Sequence, residues 1–181
     1  RKGYRYIPVA ASQSINKDGW NYSGRYSHKK AACLAGLGSI GRNSLFLHYE
    51  YGSYVRLGTI FTDCPFDVSD VEIKDVCNGC DLCVKACPAK ALRAKNAVEI
   101  ELCGKNYKWI PTDGKACDWS KKYALCGEEG HKYTGSASTF EVPETITEEN
   151  LADAMKKADR ILSYRPTTVH RCIIECPLVQ R

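Results

Sequence analysis

The cysteines at positions 77–87 are the part of the chain with the clearest chemistry. Cys77, Cys80, Cys83 and Cys87 follow one another closely, and Pro88 comes directly after them. This spacing is typical of [4Fe-4S] ligation, in which three thiolates wrap around three corners of a cube while the fourth faces another cluster. Thiolate is the ligand that iron–sulfur clusters prefer. We therefore predict that this run binds [4Fe-4S] clusters.

Structural zinc and disulfide bonds are the two other common uses of clustered cysteines. Zinc sites usually pair two CxxC segments about a dozen or more residues apart, whereas all four cysteines of the present run lie within positions 77–87. The chain has 11 cysteines, an odd number, and its first residues do not resemble a signal peptide. These features argue against a disulfide framework and indicate metal ligation in a reducing, cytoplasmic compartment.

A second group of ligands is required, because the run leaves its own cube one thiolate short. Cys172, Cys176 and Pro177 repeat the end of the motif close to the last residue of the sequence. In two-cluster ferredoxins the fourth cysteine of each run ligates the cluster of the other run. The sequence thus predicts a first cluster with the ligands Cys77, Cys80, Cys83 and Cys176.

The second cluster has three predicted ligands and one open position. Cys87 and Cys172 belong to it by the same exchange rule, and Cys103, which follows a predicted strand, is the third. The fourth is Cys117 or Cys126. We favour Cys117, because the nearby indole of Trp119 could shield a cluster from water.

Three further residues bear on this assignment. The repeated motif lacks its leading cysteine, since Val169 stands in that place, and the adjacent His170 is an alternative nitrogen ligand. A single histidine beside a cluster is, however, more often a surface or outer group. Cys33 and Cys64 are isolated in sequence, and we predict that both are buried free thiols.

The composition is that of an ordinary globular protein. Among 181 residues, 44% are hydrophobic and the formal net charge is +5, which neither requires nor excludes an acidic partner. No apolar run is long enough to span a bilayer, so we expect no membrane span. Because the sequence does not begin with Met, we expect a processed chain or the ordered part of a longer one.

The pattern of residues predicts short helices and strands with loops between them. We expect strands at residues 6–10, 54–62 (buried) and 97–102, and a short apolar run at 45–49. We expect helices from Ser27 to the glycines at 36–38, at residues 89–92, and from Thr147 along an apolar face formed by Leu151, Met155, Ala158 and Leu162. Residues 104–146 show little periodicity and are expected to be a functional loop or an insertion.

The glycines at 36, 38 and 41 spell GxGxxG, and Asp63 lies about twenty residues further on. A dinucleotide site needs a strand before the glycines and a helix after them, whereas the preceding residues here look helical. A helix C-cap with a turn is a second interpretation.

A third interpretation rests on a family resemblance. The segments AGLGSIGRN at residues 35–43, EYGS at 50–53 and LGTIFTD at 57–63, followed by the cysteine run, resemble corrinoid-dependent epoxyqueuosine reductases and reductive dehalogenases. The resemblance covers residues 31–103 well and the terminal cysteines in part. It implies that cobalamin lies between an α/β domain and a ferredoxin-like domain, and that clusters reduce its cobalt. The implied corrinoid-facing residues are Gly36, Leu37, Gly38, Ile40, Gly41, Arg42 and Asn43.

Together these features predict an α+β chain. Residues 1–70 are expected to form part of a corrinoid-binding α/β domain, and residues 71–181 a ferredoxin-like domain with two [4Fe-4S] clusters and an insertion at 104–146. The predicted activity is transfer of single electrons from a ferredoxin- or flavodoxin-type donor through the clusters to a corrinoid, for reduction of a small-molecule or tRNA substrate. The alternatives are a non-enzymatic electron-transfer subunit without corrinoid and a regulatory or tRNA-interacting cluster module.

Overall fold

A computed structural model describes residues 3–10, 24, 26–67, 72, 75–102, 104–122, 125–126, 140–157 and 171–179. Its strands are β1 (Tyr6–Val9), β2 (Gly38–Ile40), β3 (Phe46–His48), β4 (Thr59–Thr62), β5 (Val98–Leu102) and β6 (Lys105–Trp109). Its α-helices are α1 (His28–Leu34), α2 (Leu82–Lys85), α3 (Gly114–Cys117), α4 (Glu148–Lys157) and α5 (Arg171–Ile174). Short 3₁₀ helices lie at Ala94–Asn96 and Pro177–Val179, and a π-helical turn at Asp118–Lys122. This mixture of helices and small sheets confirms the α+β class.

The strands form three separate antiparallel pairs among the described residues. β1 pairs with β4, β2 with β3, and β5 with β6. The β2–β3 pair is a tight hairpin whose residues are almost all buried, whereas the β1–β4 ribbon is largely exposed. A two-stranded ribbon has little surface on which to bury side chains.

Two predicted elements differ from the observed ones. The buried strand expected at 54–62 is shorter and exposed: only Thr59–Thr62 is extended in a sheet, and Ile60 is 63% exposed. The helix expected at 89–92 is a turn in which Lys90 has a φ of 50°. The Ala91 N–H donates to Sγ of Cys87 at 3.2 Å instead of to a helical carbonyl. The helix of this region lies earlier, at α2.

The predicted helix starts at Ser27 and Thr147 are confirmed by their capping bonds. The Ser27 hydroxyl accepts from the Lys30 N–H at 3.3 Å, at the start of α1. The Thr147 hydroxyl accepts from the Asn150 N–H at 3.2 Å, and the Asn150 side chain accepts from the Thr147 N–H at 2.9 Å. This reciprocal pair satisfies donors at the start of α4. Ala158, Leu162 and the region around Pro166 lie outside the described residues.

The described core has three clusters of buried side chains. One joins α1 and the β2–β3 hairpin to Tyr107 of β6, and a smaller one joins α2 to Leu92 and Ile110. The third joins the turn after Cys87 to the helical turns around Trp119 and to α4. Residues 105–122, which lie within the functional loop or insertion expected at 104–146, therefore contain a strand and helices that pack in the core. The predicted division at residue 70 stays a prediction.

No helix among the described ranges combines the length and the apolar character needed to cross a bilayer.

Candidate metal centre

The cysteine run begins as a loop that bends sharply before α2. Gly79 has a φ of 72° and Asp81 a φ of 57°, so two left-handed residues fall between Cys77 and Cys83. Glycine adopts this conformation without a steric cost, and aspartate is among the few other residues that tolerate it. Asp81 occupies the N-cap position of α2, and its carbonyl accepts from the N–H groups of the first turn. Cys77, Cys80 and Cys83 line a common space beside these bends.

That space is a cavity of about 310 Å³, a volume that includes the part open to solvent. Cys176 reaches it from the turn after α5, which packs against α2. The structure thus brings together the four thiols that the sequence assigned to one cube. The complete lining is Cys77, Cys80, Cys83, Cys176, Arg42, Asn43, Leu47, Asn78, Asp81 and Leu178.

The arrangement of these thiols bears on which metal they could hold. Among the residues that the structure describes, no three His, Cys, Asp or Glu side chains converge to hold a metal ion. A zinc site needs four ligands at about 2.0–2.3 Å from one point. A cube instead spreads its four cysteines over four irons, so it needs a cavity lined by separated thiols. Four cysteines around one cavity are a donor set that fits a [4Fe-4S] cluster.

Burial raises the pKa of two of these thiols. Burial and, as a smaller effect, the neighbouring Cys77 raise the pKa of Cys83 to about 11. Burial also raises the pKa of Cys176. Because only thiolates ligate iron, cluster assembly must release these protons, and the positive charge of iron provides the compensation.

Arg42 connects the glycine segment to this cavity. Its N–H donates to Sγ of Cys77 at 3.4 Å, and its guanidinium makes two bonds to the Asp81 carboxylate, at 2.8 and 3.0 Å. The same guanidinium holds the pKa of Asp81 below its ordinary value. The sequence does not predict a role for Asp81. Two signals could have found it: Asp81 is an acidic residue inside the cysteine run, and it adopts a backbone conformation that few residue types tolerate.

The glycines are explained by packing within the chain. Gly36 has a φ of 69° and directly follows Ala35, the C-cap residue of α1, so the interpretation as a helix end with a turn holds there. A Cβ at Gly38 would lie 1.9 Å from the carbonyl oxygen of Leu47, and a Cβ at Gly41 would lie 2.7 Å from Cδ1 of Leu47. Leu47 thus occupies the space that a side chain at either glycine would need.

The other residues expected to face a corrinoid are divided between the interior and the surface. Ile40 and Asn43 are buried with Gly38 and Gly41, whereas Leu37 is 43% exposed. The Asn43 side chain donates to the carbonyl of Cys172 at 3.3 Å. The corrinoid-facing role expected for this segment stays a prediction.

The dinucleotide interpretation does not fit the structure. Gly36 follows helix α1, Gly38 begins strand β2 and Gly41 follows that strand, so a helix precedes the glycines and a strand hairpin takes the place of the helix that such a site needs. Asp63 accepts from both the main chain and the side chain of Arg5, each at 2.7 Å. Its carboxylate therefore joins β1 to the end of β4.

The predicted ligands of the second cluster are only partly described. Cys87 and Cys117 pack at the edge of one core cluster, which includes Cys126, 5% exposed. Cys172 packs instead against the core cluster of Cys83. Cys103 and the alternative ligand His170 lie outside the described residues. The choice between Cys117 and Cys126 stays open.

Trp119 adds an independent observation at this second group of cysteines. Its indole is 3% exposed, in the core cluster that Cys87 and Cys117 border. Its Nε1–H is buried and has no hydrogen-bond partner among the described residues. A buried unpaired donor costs about 1–3 kcal/mol, so native proteins rarely leave one unsatisfied. A cluster sulfur beside these thiols would supply the acceptor, and the residues present thus fit such a group.

The two isolated cysteines differ from each other. Cys33 is fully buried, as predicted, and burial raises the pKa of its thiol to about 11. Cys64 is partly exposed, contrary to the prediction, because it follows the exposed strand β4.

Residues 71–93 match a family model described as a 4Fe-4S binding domain. The match includes the whole run from Cys77 to Cys87 and ends before Cys103. It confirms the interpretation of the run as a [4Fe-4S]-binding segment.

Curated relatives are similar over part of the chain. Over 81 residues, 45% of this chain, the sequence is 38% identical to the epoxyqueuosine reductase of Listeria monocytogenes and 37% identical to that of Bacillus subtilis. The matched part is 21% of each relative, so the chain spans about a fifth of the length of these proteins.

Two solved structures are also similar. One is an epoxyqueuosine reductase with a tRNA-Tyr epoxyqueuosine-modified stem loop, 33% identical, covering 49% of this chain and 20% of that one, with a TM-score of 0.37. The other, a selenomethionine-labelled epoxyqueuosine reductase, is 20% identical and covers 93% of this chain and 36% of that one, with a TM-score of 0.45. These TM-scores are too low to support an argument. The chain thus contains a [4Fe-4S]-binding segment and is similar to epoxyqueuosine reductases over less than half of its length.

Proposed function

We propose that this chain passes single electrons through two [4Fe-4S] clusters, as the iron–sulfur part of an oxidoreductase that resembles epoxyqueuosine reductases. The observation that carries the proposal is the cavity at the cysteine run. Four cysteines from two distant stretches of chain line it, and one stretch lies in the segment that matches a 4Fe-4S binding domain. Four thiolates around one cavity are the ligands that a cube requires.

Each cluster has its own ligands in this proposal. The first uses Cys77, Cys80, Cys83 and Cys176. The second uses Cys87, Cys103, Cys172 and Cys117, with Cys126 and His170 as alternatives to Cys117. Cys83 lies in α2 and Cys87 follows two residues after the last residue of that helix, so the two clusters would be close neighbours. Short separation suits transfer of one electron from cluster to cluster.

The final electron acceptor is the less supported part of the proposal. The family resemblance implies a corrinoid, whose cobalt would carry the reductive chemistry. Leu47 occupies the side-chain positions of Gly38 and Gly41, so packing within the chain accounts for these two glycines without a corrinoid. The alternative function is a ferredoxin-like electron-transfer subunit that binds no corrinoid.

The partners follow from the same chemistry. The donor would be a ferredoxin- or flavodoxin-type protein, and the substrate of the complete system a small molecule or a tRNA, in line with the relatives named above. A reducing, cytoplasmic compartment would keep eleven cysteines free for ligation.

Metal analysis of an anaerobically reconstituted sample tests the proposal. We expect about eight irons and a similar amount of acid-labile sulfide per chain, with a spectrum that bleaches on reduction. Stoichiometric zinc, or bare thiols in a folded chain, would exclude the electron-transfer function. Cobalamin added to the same sample separates the two versions: stoichiometric retention supports the corrinoid-dependent reductase, and no retention with intact clusters supports the carrier.

A binding measurement addresses the tRNA-interacting alternative. Affinity of the cluster-loaded chain for tRNA is measured at physiological salt, since phosphate contacts weaken steeply as salt rises. Binding that is lost under these conditions would remove the tRNA module as an explanation.

A further inference from the structure

The main chain of Arg42 makes hydrogen bonds through both its N–H and its carbonyl, beside the cavity at the cysteine run. Its N–H donates to Sγ of Cys77 at 3.4 Å, and its carbonyl accepts from the N–H of Ile110 at 2.9 Å. Ile110 is fully buried, and the hairpin turn is closed by the Gly41 N–H, which donates to the Leu45 carbonyl at 2.8 Å. The position of Arg42 relative to the thiols is therefore set by the fold.

The side chain of Arg42 is also fixed. Its Nε and a terminal nitrogen donate to the two oxygens of Asp81 at 2.8 and 3.0 Å. The Arg42 side chain is 19% exposed and that of Asp81 33%, and both residues line the cavity. A forked pair of this kind has a defined geometry and is shielded from solvent more than a surface ion pair.

These two charges would act on a cluster in opposite directions. A cube with four thiolates carries net negative charge, and accepting one electron from the donor protein makes it one unit more negative. A nearby positive charge stabilises the reduced cluster more than the oxidised one, and a nearby negative charge does the reverse. Net charge and hydrogen bonds to sulfur are among the factors that set cluster potentials.

We propose that Arg42 and Asp81 form a charge-balanced pair that sets the reduction potential of the first cluster. Arg42 raises the potential through its guanidinium and through its N–H bond to Cys77, and Asp81 lowers it. The inference rests on the proposed function, because it requires a cluster in the cavity. Both are positioning residues, since neither ligates iron in the assignment above.

Charge substitutions in the reconstituted full chain test the pair. Arg42→Gln should lower the potential of the first cluster, because it leaves the Asp81 carboxylate unbalanced. Asp81→Asn should raise it, and the double variant should return toward the wild-type value. Potentials are read from redox titrations followed by electron paramagnetic resonance, with iron content measured on every sample.

Two further variants make the result specific. Asp75→Asn removes an equal charge from an exposed residue that does not line the cavity, and it should shift the potential less than Asp81→Asn does. Arg42→Lys keeps the charge and should stay nearer to wild type than Arg42→Gln. If Arg42→Gln fails to retain iron, the comparison of Asp81→Asn with Asp75→Asn still decides.

Shifts of the same sign in both single variants, or no shift with full iron content, would overturn the pair while leaving the electron-transfer function intact. A wild-type chain that assembles no cluster would instead contradict the proposed function itself.

Discussion

Cys176 lines the same cavity as Cys77, although α2, β5, β6, α3 and α4 lie between them in sequence. The contact between α2 and α5 produces this meeting, because each helix is adjacent to one of the two cysteine stretches. The relationship links the segment that matches the 4Fe-4S binding domain to a stretch outside that match. Assembly of the first cluster would thus depend on the tertiary fold as well as on the cysteine run.

Gly38→Ala should disrupt the β2–β3 hairpin. Its added Cβ would lie 1.9 Å from the Leu47 carbonyl oxygen, and the backbone φ of 155° is unfavourable for residues with a side chain. We expect a loss of about 3 kcal/mol or more in the free energy of unfolding. Gly58→Ala is the matched control, since nothing lies within 4 Å of its Cβ. Denaturant unfolding measures both; a fully stable Gly38→Ala protein would show that the glycine serves something other than packing.

Cys117→Ser and Cys126→Ser should differ in the iron that they retain. If Cys117 is the fourth ligand of the second cluster, its serine variant should fall from about eight irons to about four. Cys126→Ser should keep both clusters, with some loss of stability because the side chain is only 5% exposed. Iron analysis after reconstitution gives the answer. The reverse pattern would assign Cys126, and retention of iron by both variants would point to His170.

Trp119→Phe should lower the potential of the second cluster. The substitution removes a buried N–H that no described residue accepts, and a bond from it to a cluster sulfur would be worth about 1.5–3 kcal/mol. Trp109→Phe serves as the control, because Trp109 packs in a different core cluster. Redox titration measures both variants. Equal potentials for Trp119→Phe and wild type, at full iron content, would mean that the indole does not contact a cluster.

Asp63 should titrate below its ordinary pKa of 3.8, because its hydrogen bonds with Arg5 favour the ionised form. A carboxyl with a lowered pKa stabilises the fold above the unfolded-state value and loses that contribution as pH falls through the folded-state value. The β1–β4 contact should therefore weaken only in acid below about pH 4. The carbon-13 chemical shift of the Asp63 carboxyl, recorded as a function of pH, measures this pKa directly. An ordinary titration midpoint would show that the Arg5 contact does not persist in solution.

Local features were the ones that could be predicted from the sequence. Ser27 and Thr147 cap helices because capping depends on residues within one turn, and the spacing of the cysteine run depends on a single loop. The class of cofactor follows from that loop, as the match of residues 71–93 bears out.

Features that depend on distant parts of the chain could not be predicted. A glycine shows that space for a side chain is missing, but it does not show whether Leu47 or a ligand fills that space. Asp63 lies at the spacing of a ribose-binding acid and yet binds Arg5, which pairs with it only when β1 meets β4. The sequence predicts a helix after Pro88 where the structure has a turn, because the bond from the Ala91 N–H to the Cys87 sulfur has no signature in sequence.

The iron content of Cys176→Ser tests the central claim most directly. Cys77→Ser removes a predicted ligand of the same cluster from the cysteine run and serves as the comparison. Cys64→Ser is the control, because the Cys64 thiol is partly exposed and is not assigned as a ligand. After anaerobic reconstitution, we expect Cys176→Ser and Cys77→Ser to retain about four irons each, while Cys64→Ser retains about eight. Eight irons in a folded Cys176→Ser chain, with unchanged paramagnetic resonance of both reduced clusters, would contradict the account.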